Sequence, residues 1–254
     1  MTALPLVSVI MPCYNMERFI ADTIHSVINQ TFDDWELLIT DDASTDGTIA
    51  LVQAMAKNDH RIHLFSINPQ ETGIAPARNY CIRHARGRFL AFLDADDLWH
   101  PNKLQRQLQF MTEQHLGFSY TAYDLVDENG KNLNKTIQTA GDLTYTAYLR
   151  NTIIGCSTVM IDTEMTGPVV VPNFRTSEDA ATWLNLLKKG FKAYAINEPL
   201  TSYRIRSHSA SSNKLKAAAD LWEVYRQNEK LPFHKAVFYF SCYVFNAIKK
   251  RLCP

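Results

Sequence analysis

Strand-like and helix-like segments alternate along the N-terminal part of the chain, and this alternation constrains the fold more than any other feature. Short apolar and β-branched runs, such as LVSVIMP at residues 6–12, are each followed by a stretch whose apolar residues recur at helical spacing. Such a pattern indicates βαβ units, in which helices connect neighbouring strands of a mostly parallel sheet. The chain is therefore predicted to be an α/β protein with a central sheet flanked by helices.

The N-terminal part divides into four expected strands and three expected helices. The strands are LVSVIMP, WELLITDD, RIHLFSI and RFLAFLDADD, which begin at residues 6, 35, 61 and 88. Asn15 is expected to cap the first helix, STDGT to start the second, and residues 75–86 to form the third. Near residue 213 the composition becomes basic, which marks a soft boundary before a C-terminal helical tail.

Composition excludes several classes of protein. The formal net charge is zero, so the chain has no overall positive field that would recruit nucleic acid. The five cysteines are odd in number and show no C-x-x-C spacing, which favours neither a disulfide framework nor a zinc site. The N-terminal residues show no signal-peptide pattern, so a cytoplasmic location is expected.

Polar clusters follow three of the expected strands. They are PCYN at residues 12–15, DDAS at residues 41–44 and DADD at residues 94–97. The carboxyl ends of parallel strands meet at one edge of a sheet, where open α/β sheets bind their ligands. The three clusters are therefore expected to open onto a single crevice.

The acids of the DADD cluster indicate a cation. Carboxylates as close as Asp94, Asp96 and Asp97 raise one another's pKa unless a positive charge lies between them. At a strand end, Asp94 and Asp96 point the same way, and their oxygens are ligands that Mg²⁺ and Mn²⁺ prefer. The spacing therefore predicts a metal site, although Asp96 or Asp97 could instead cap the helix that starts at Pro101.

Three segments in this order resemble the inverting glycosyltransferases of family 2. They run from VSVIMPCYN to STDGT at residues 7–48, from GIAPARN to PNKL at residues 73–104, and through SED at residues 177–179. The resemblance extends from residue 7 to about residue 212 and implies a GT-A fold. It divides the domain of residues 1–212 into a nucleotide-binding half, 1–100, and an acceptor-binding half, 101–212, followed by the helical extension 213–254.

The family pattern implies a site for a UDP-sugar donor. Pro12, Tyr14 and Asn15 would line the base pocket, and Asp41 would contact the uracil. Arg78 would lie near the nucleotide, with a surface position on its helix as the alternative.

The same resemblance implies a divalent metal, Mn²⁺ or Mg²⁺, as cofactor. Asp94 would touch the ribose or the shell of the metal, Asp96 would bind the metal on the donor diphosphate, and Asp97 would be a second contact. The metal would neutralise charge on the departing diphosphate.

Inversion requires a base that removes the proton of the acceptor hydroxyl. The resemblance assigns this role to Asp179, with Glu178 orienting it or holding an acceptor hydroxyl. Without the resemblance, two acids in the first turn of a helix would be read as partners of the helix dipole. Trp183, four residues after Asp179, could stack on an acceptor sugar or pack in the core.

The segment YRIRSHSASSNK, at residues 203–214, resembles the loop that closes over the diphosphate in this family. Arg204 is the expected donor contact, with Arg206 as a second candidate. Many relatives have histidine where this chain has Arg206, so no metal-ligand role is assigned to His208.

The C-terminal tail has an apolar core at residues 236–248 with basic residues on both sides. Spanning a bilayer takes roughly 20 apolar residues, so the tail is expected to lie in the surface of an anionic membrane. Packing on the core or a homodimer contact are the alternatives. A peripheral position on the inner face of the cell membrane follows from the first interpretation.

These inferences predict a metal-dependent inverting hexosyltransferase. It would move a hexose or N-acetylhexosamine, glucose or galactose first, from a UDP-sugar to a saccharide linked to undecaprenyl diphosphate in O-antigen, capsule or exopolysaccharide assembly. A non-UDP donor, a soluble acceptor and a non-catalytic nucleotide-sugar-binding protein remain alternatives. A sugar-nucleotide nucleotidyltransferase would need a glycine-rich, basic N-terminal loop, which IMPCYNMERF does not provide.

Overall fold

The computed structural model describes residues 4–68, 70–206 and 214–252. Its strands are β1 (Val7–Cys13), β2 (Trp35–Asp41), β3 (Ile62–Ser66), β4 (Phe89–Phe92), β5 (Leu98–Trp99), β6 (Phe118–Val126), β7 (Asn132–Ile137), β8 (Met160–Asp162) and β9 (Tyr194–Arg204). Its helices are α1 (Ile20–Ile28), α2 (Thr48–Ala56), α3 (Ile74–His84), α4 (Lys103–Glu113), α5 (Tyr145–Arg150), α6 (Thr163–Thr166), α7 (Glu178–Lys188), α8 (Lys214–Glu223) and α9 (Phe233–Leu252). A 3-10 turn, Cys156–Thr158, precedes β8, and a π-helical turn, Val224–Asn228, follows α8.

These strands form one sheet in the order β3-β2-β1-β4-β8-β6-β9-β5, with β7 paired to β6. The strands β3, β2, β1 and β4 are parallel, as the alternation predicts. In contrast, β8 runs antiparallel to both of its neighbours, β4 and β6. The predicted α/β fold with a mostly parallel N-terminal sheet, flanking helices and a C-terminal helix is confirmed.

The pleat of β1 divides the apolar residues between two cores. Val9 and Met11 belong to the cluster under α1, α2 and α4, whereas Ile10 belongs to the cluster that includes residues of α3, α5 and α7. Alternate residues of a strand point to opposite faces of the sheet, so one apolar run supplies both clusters. The sheet is therefore buried on both faces and holds the ends of its strands in fixed positions.

The first helix begins later than the sequence predicts. Asn15 has a positive φ of 50°, and its side-chain oxygen accepts a hydrogen bond from the Thr45 backbone at 2.8 Å. The N-cap position of α1 belongs to Phe19, which makes no side-chain cap hydrogen bond. Asn15 is therefore not a helix cap, and it instead ties the end of β1 to the loop after β2.

The helical extension is docked on the rest of the chain. Thr176, just before α7, donates a hydrogen bond to Asp220 of α8. The Tyr225 hydroxyl donates to the Leu149 carbonyl at the end of α5, at 2.6 Å. These contacts hold the extension against α5 and α7, while the boundary near residue 213 stays a prediction.

The long helix α9 has one packed and one exposed face. Ala236 is buried, whereas Phe238 and Phe245 are 52% and 68% exposed. Across residues 4–68, 70–206 and 214–252, no helix combines the length and the apolar character needed to cross a membrane.

Candidate active site at the ends of the strands

A cavity of about 680 Å³ opens where the predicted polar clusters meet. It is lined by Pro12, Cys13, Tyr14, Asn15, Met16, Asp42, Ile74, Ala77, Arg78, Asp94, Ala95, Asp96, Gly155, Cys156, Arg175, Thr176, Glu178, Asp179, Tyr203 and Arg206. Members of all three clusters contribute to this wall, which confirms the expectation of one shared crevice.

Arg78 lies at the centre of the acidic residues. Its Nη1 donates to Glu178 Oε1 at 2.6 Å, and its Nη2 donates to Asp94 Oδ1 at 2.5 Å. The side chain is buried, so a surface position on α3 is excluded. One guanidinium therefore connects the end of β4, through Asp94, to the start of α7, through Glu178.

Asp179 is the carboxylate in the cavity with the chemistry of a base near neutral pH. Burial, followed by the charge of Glu178, raises the pKa of Asp179 to about 7. Burial also raises the pKa of Glu178, although the charge of Arg78 opposes this effect. A carboxylate with a pKa near the working pH is suited to general-base catalysis. The arrangement can therefore take a proton from a hydroxyl that enters the cavity.

Asp94 and Asp96 are the acids of the DADD cluster that face the cavity. Asp96 Oδ2 lies 2.5 Å from Arg206 Nε, and burial raises the pKa of Asp96 against the effect of that charge. In the part of the chain that the structure describes, no group of three or more acidic, histidine or cysteine side chains has the geometry of a metal site. Mg²⁺ commonly binds through one or two carboxylates and substrate phosphates, so Asp94 and Asp96 fit a metal shared with a diphosphate.

Asp97 is directed away from the cavity. It is buried, its Oδ2 accepts from the Ser157 hydroxyl at 2.6 Å, and its Oδ1 accepts from the Arg204 backbone at 3.0 Å. Burial and the neighbouring acids raise its pKa well above the ordinary value. The expected metal contact by Asp97 is contradicted by this position, and its contacts indicate a structural role.

The residues expected to form the base pocket lie at the ends of β1 and β2, and not all of them reach the cavity. Pro12, Tyr14 and Asn15 line the cavity. Asp41 does not, because it is only 1% exposed and its side chain accepts a hydrogen bond from the Ser44 backbone at 2.9 Å. The next residue, Asp42, lines the cavity and accepts from the Gly73 backbone. Adjacent residues at a strand end point to opposite sides, and the sequence could not decide which acid faced inward.

The two arginines at the end of β9 have separate roles. Arg204 is buried, its Nε donates to the Asp96 carbonyl at 2.7 Å, and its Nη1 donates to the Glu128 carbonyl at 2.8 Å. Arg204 does not line the cavity, so the expected donor contact by this residue is corrected: of these two arginines, Arg206 is the one that lines the cavity. His208 lies outside the described residues.

Trp183 is a core residue. It is 1% exposed and packs edge-on against Phe92 with ring centroids 5.1 Å apart. The cavity meets α7 at its first turn, so a residue one turn later lies beneath the cavity wall. The proposed stacking of Trp183 on an acceptor sugar is therefore corrected in favour of core packing.

The sequence interpretation missed several residues of the cavity wall, among them Cys156, Arg175 and Thr176. Cys156 begins the 3-10 turn before β8, whereas Arg175, which is exposed, and Thr176 lie in the irregular segment before α7. No periodicity or motif marks these positions, since only the packing of the loops brings them to the strand ends.

The chain matches known glycosyltransferases over most of its length. Residues 8–166 match the family described as Glycosyl transferase family 2. TuaG, a putative teichuronic acid biosynthesis glycosyltransferase from Bacillus subtilis (strain 168), is 52% identical over 248 residues, which are 98% of either chain. WfgD from Escherichia coli, a UDP-Glc:alpha-D-GlcNAc-diphosphoundecaprenol beta-1,3-glucosyltransferase, is 37% identical over 246 residues, 96% of this chain and 94% of WfgD.

Solved structures share the fold at low sequence identity. TarS 1–349 from S. aureus, in complex with UDP-GlcNAc, has a TM-score of 0.72 and 20% identity, covering 94% of this chain and 71% of its own. The mannosyltransferase PcManGT from Pyrobaculum calidifontis, in complex with GDP-Man and Mn²⁺, has a TM-score of 0.67 and 21% identity, covering 91% and 66%. This likeness confirms the expected GT-A fold.

The family match spans more than half of the chain, and TuaG and WfgD align with nearly all of it. Of the acids and arginines of the cavity, those up to Asp96 lie within the family match, and those from Arg175 onward follow its end. The expectation drawn from the three sequence segments is therefore confirmed: this chain belongs to glycosyltransferase family 2 and is a glycosyltransferase.

Proposed function

We propose that the chain is a metal-dependent inverting transferase that moves a hexose from a UDP-sugar to a saccharide linked to a lipid diphosphate. Glucose is the first candidate for the hexose. The product would enter a surface polysaccharide such as O-antigen, capsule or a related exopolysaccharide. The observation that carries this proposal is the position of Asp179, a carboxylate with a pKa of about 7, in the same cavity as Asp94 and Asp96.

The residues of the cavity divide between donor and acceptor. Tyr14, exposed at the end of β1, and Asp42 offer a ring face and a carboxylate to the uracil and ribose. Asp94 and Asp96 would hold a divalent metal, which when bound supplies positive charge to the departing diphosphate. Arg78 fixes the orientation of Asp94 through their hydrogen bond. The donor sugar would then lie between the acids of β4 and the first turn of α7.

Asp179 would act on the acceptor. As the hydroxyl oxygen of the acceptor forms its bond to the anomeric carbon, the hydroxyl proton passes to the Asp179 carboxylate and the bond to the UDP diphosphate breaks. Attack from the face opposite the diphosphate inverts the configuration at that carbon. Glu178, held by Arg78, keeps a negative charge beside Asp179 and so supports its raised pKa.

The relatives support the choice of substrates. WfgD is named for transfer from UDP-Glc to a GlcNAc-diphosphoundecaprenol acceptor, and TuaG for teichuronic acid biosynthesis. A lipid diphosphate acceptor also suits Arg175, a cation on the cavity wall beside the helical extension.

The helical extension would place the enzyme on the membrane. Exposed Phe233, Phe238 and Phe245 lie on α9, and basic residues precede and follow its apolar stretch. An apolar face with basic flanks suits the surface of an anionic membrane. The enzyme would then lie on the inner face of the cell membrane, where a lipid-linked acceptor is within reach of the cavity.

A transfer assay tests the proposal. The chain is incubated with Mn²⁺, with UDP-Glc, UDP-Gal, UDP-GlcNAc or GDP-Man as donor, and with a short-chain lipid diphosphate of GlcNAc or free GlcNAc as acceptor. Mass spectrometry should show a hexose added from a UDP-hexose to the lipid diphosphate, and no addition by Asp179→Asn. Transfer from GDP-Man alone, or to free GlcNAc alone, would replace the donor or the acceptor in this account. UDP-sugar binding without transfer under all of these conditions would favour a non-catalytic binder.

A further inference from the structure

A guanidinium already neutralises the carboxylate that is proposed to bind the metal. Arg206 Nε lies 2.5 Å from Asp96 Oδ2, and both side chains line the cavity and are largely buried. The positive charge therefore occupies a position next to the oxygen that a divalent cation would use. A metal that coordinates this oxygen must share it with Arg206 or displace the guanidinium.

Among the residues that the structure describes, Arg206 has fewer polar partners than Arg78 and Arg204. Arg78 bonds two carboxylates, and Arg204 donates to two backbone carbonyls, so both are fixed on several sides. The other contacts of Arg206 with residues 4–68, 70–206 and 214–252 are a long Nη1 contact to the Met16 sulfur, at 3.7 Å, and a position over the Phe19 ring, 5.4 Å from its centroid. Neither contact supplies a negative charge, so the ion pair with Asp96 is the interaction that a competitor has to replace.

The charges of the site indicate whether a divalent cation can displace Arg206 from Asp96 alone or only together with a diphosphate. A free divalent cation at Asp96 would leave the partly buried Arg206 guanidinium beside a second positive charge, which is costly in a partly desolvated site. A cation that arrives with a diphosphate brings negative oxygens, to which the guanidinium can donate paired hydrogen bonds. The exchange is therefore balanced in charge when the metal and the diphosphate bind together.

We propose that Arg206 is an internal counter-ion that keeps divalent metal off Asp96 until the donor diphosphate arrives, and that it then transfers its contact to the diphosphate. This inference rests on the proposed function, because it takes Asp96 as the metal ligand. It makes Arg206 a positioning residue that couples metal binding to nucleotide binding. Such a coupling is reciprocal, so removing the arginine must change the affinity for the metal alone as well as the coupling.

Direct Mn²⁺ binding tests the inference without any measurement of activity. The electron paramagnetic resonance signal of free Mn²⁺ is followed during titration of the chain, first without nucleotide and then with UDP. Without UDP, wild type and Arg206→Lys should bind Mn²⁺ weakly, and Arg206→Gln should bind it at least tenfold more tightly. With UDP, Arg206→Gln should show a smaller gain in Mn²⁺ affinity than wild type, because the variant lacks the guanidinium that would donate hydrogen bonds to the diphosphate.

Two control variants make the result specific. Arg18→Gln removes a surface arginine whose ion pair, with Glu128, lies outside the cavity wall, and it should leave Mn²⁺ binding unchanged. Asp96→Asn should abolish the extra binding when combined with Arg206→Gln, which assigns the site to Asp96. Thermal melting of each variant establishes that it is folded.

Two results would overturn the inference. The first is tight Mn²⁺ binding by wild type without nucleotide, and the second is no gain in affinity in Arg206→Gln. If UDP and Mn²⁺ still bind together in an Asp96-dependent way, the proposed function stands while the role of Arg206 fails. If UDP binding shows no dependence on metal or on Asp96, the proposed metal site fails first.

Discussion

Arg78 determines how the acids of the cavity are arranged. Its two hydrogen bonds, to Glu178 and to Asp94, join residues that are far apart in the sequence and hold them with one buried charge. Burying either carboxylate without a partner would be costly. At the scale of single residues, the site therefore depends on this guanidinium as much as on the acids that the sequence motifs identify.

The pKa of Asp179 predicts the pH dependence of transfer. The base acts in its deprotonated form, and its pKa of about 7 lies above the ordinary value for aspartate. The turnover number should therefore rise as the pH increases through about 7 and reach a plateau above it. Asp179→Asn should lower turnover by roughly 10²- to 10⁴-fold, the range expected for a general base, and leave UDP affinity unchanged. Steady-state kinetics over a pH range of roughly 5.5 to 9, which brackets that pKa, measure the pH dependence and the loss of turnover. Calorimetry with UDP measures the nucleotide affinity of both proteins. A flat profile or an active Asp179→Asn would show that another group takes the proton.

Substitution of Arg204 should destabilise the fold more than substitution of Arg206. Arg204→Met removes a buried guanidinium and leaves the partly buried Asp96 and Glu128 carbonyls without their donor, so the free energy of unfolding should fall by roughly 2–4 kcal/mol. Arg206→Met removes an ion pair at the cavity wall and should lower it by less. Urea denaturation of both variants measures the difference. Equal losses in the two variants would contradict the structural role assigned to Arg204.

At the scale of elements, regular strands and helices were predictable and short ones were not. The runs that became β1 to β4 are long enough to show their pattern in the sequence, and all four are found near the expected positions. The strands β5 and β8 have two and three residues, too few for any periodicity to be visible. The antiparallel position of β8 between β4 and β6 depends on tertiary packing, which no local pattern encodes.

The exposed face of α9 predicts membrane binding that depends on its aromatic residues. Fully burying one phenylalanine side chain contributes about 1.5–3 kcal/mol, so replacing Phe238 and Phe245 by serine should weaken binding to anionic vesicles by about tenfold or more. Vesicle co-sedimentation of the full chain measures the partition coefficient, which should also fall with increasing salt.

A matched control for this experiment is Val170→Ser, which removes an exposed apolar side chain outside α9 and should leave vesicle binding unchanged. Loss of binding in this control as well would indicate unspecific adsorption. If the double variant keeps its vesicle binding but converts a dimer to a monomer on size-exclusion chromatography, α9 is a subunit contact and the membrane proposal fails.

For the whole molecule, the sequence predicted the position of the crevice but not the direction of each side chain. The crevice follows from the parallel strands, whose ends must meet. Whether Asp41 or Asp42 faces it depends on the parity of the pleat, which a shift of one residue reverses. Trp183 is on the helix expected, one turn too far from the cavity to reach a ligand. The acceptor side was hardest to predict, because residues such as Arg175 come from loops without a pattern.

The anomeric configuration of the product tests the central claim most directly. With the UDP-sugar that serves as donor, ¹H NMR follows the α-anomeric signal of the donor and the anomeric signal of the glycosylated acceptor, for wild type and for Asp179→Asn. The account predicts a β-linked product from wild type and none from Asp179→Asn. An α-linked product, or the same rate of transfer in both proteins, would contradict an inverting mechanism with Asp179 as its base.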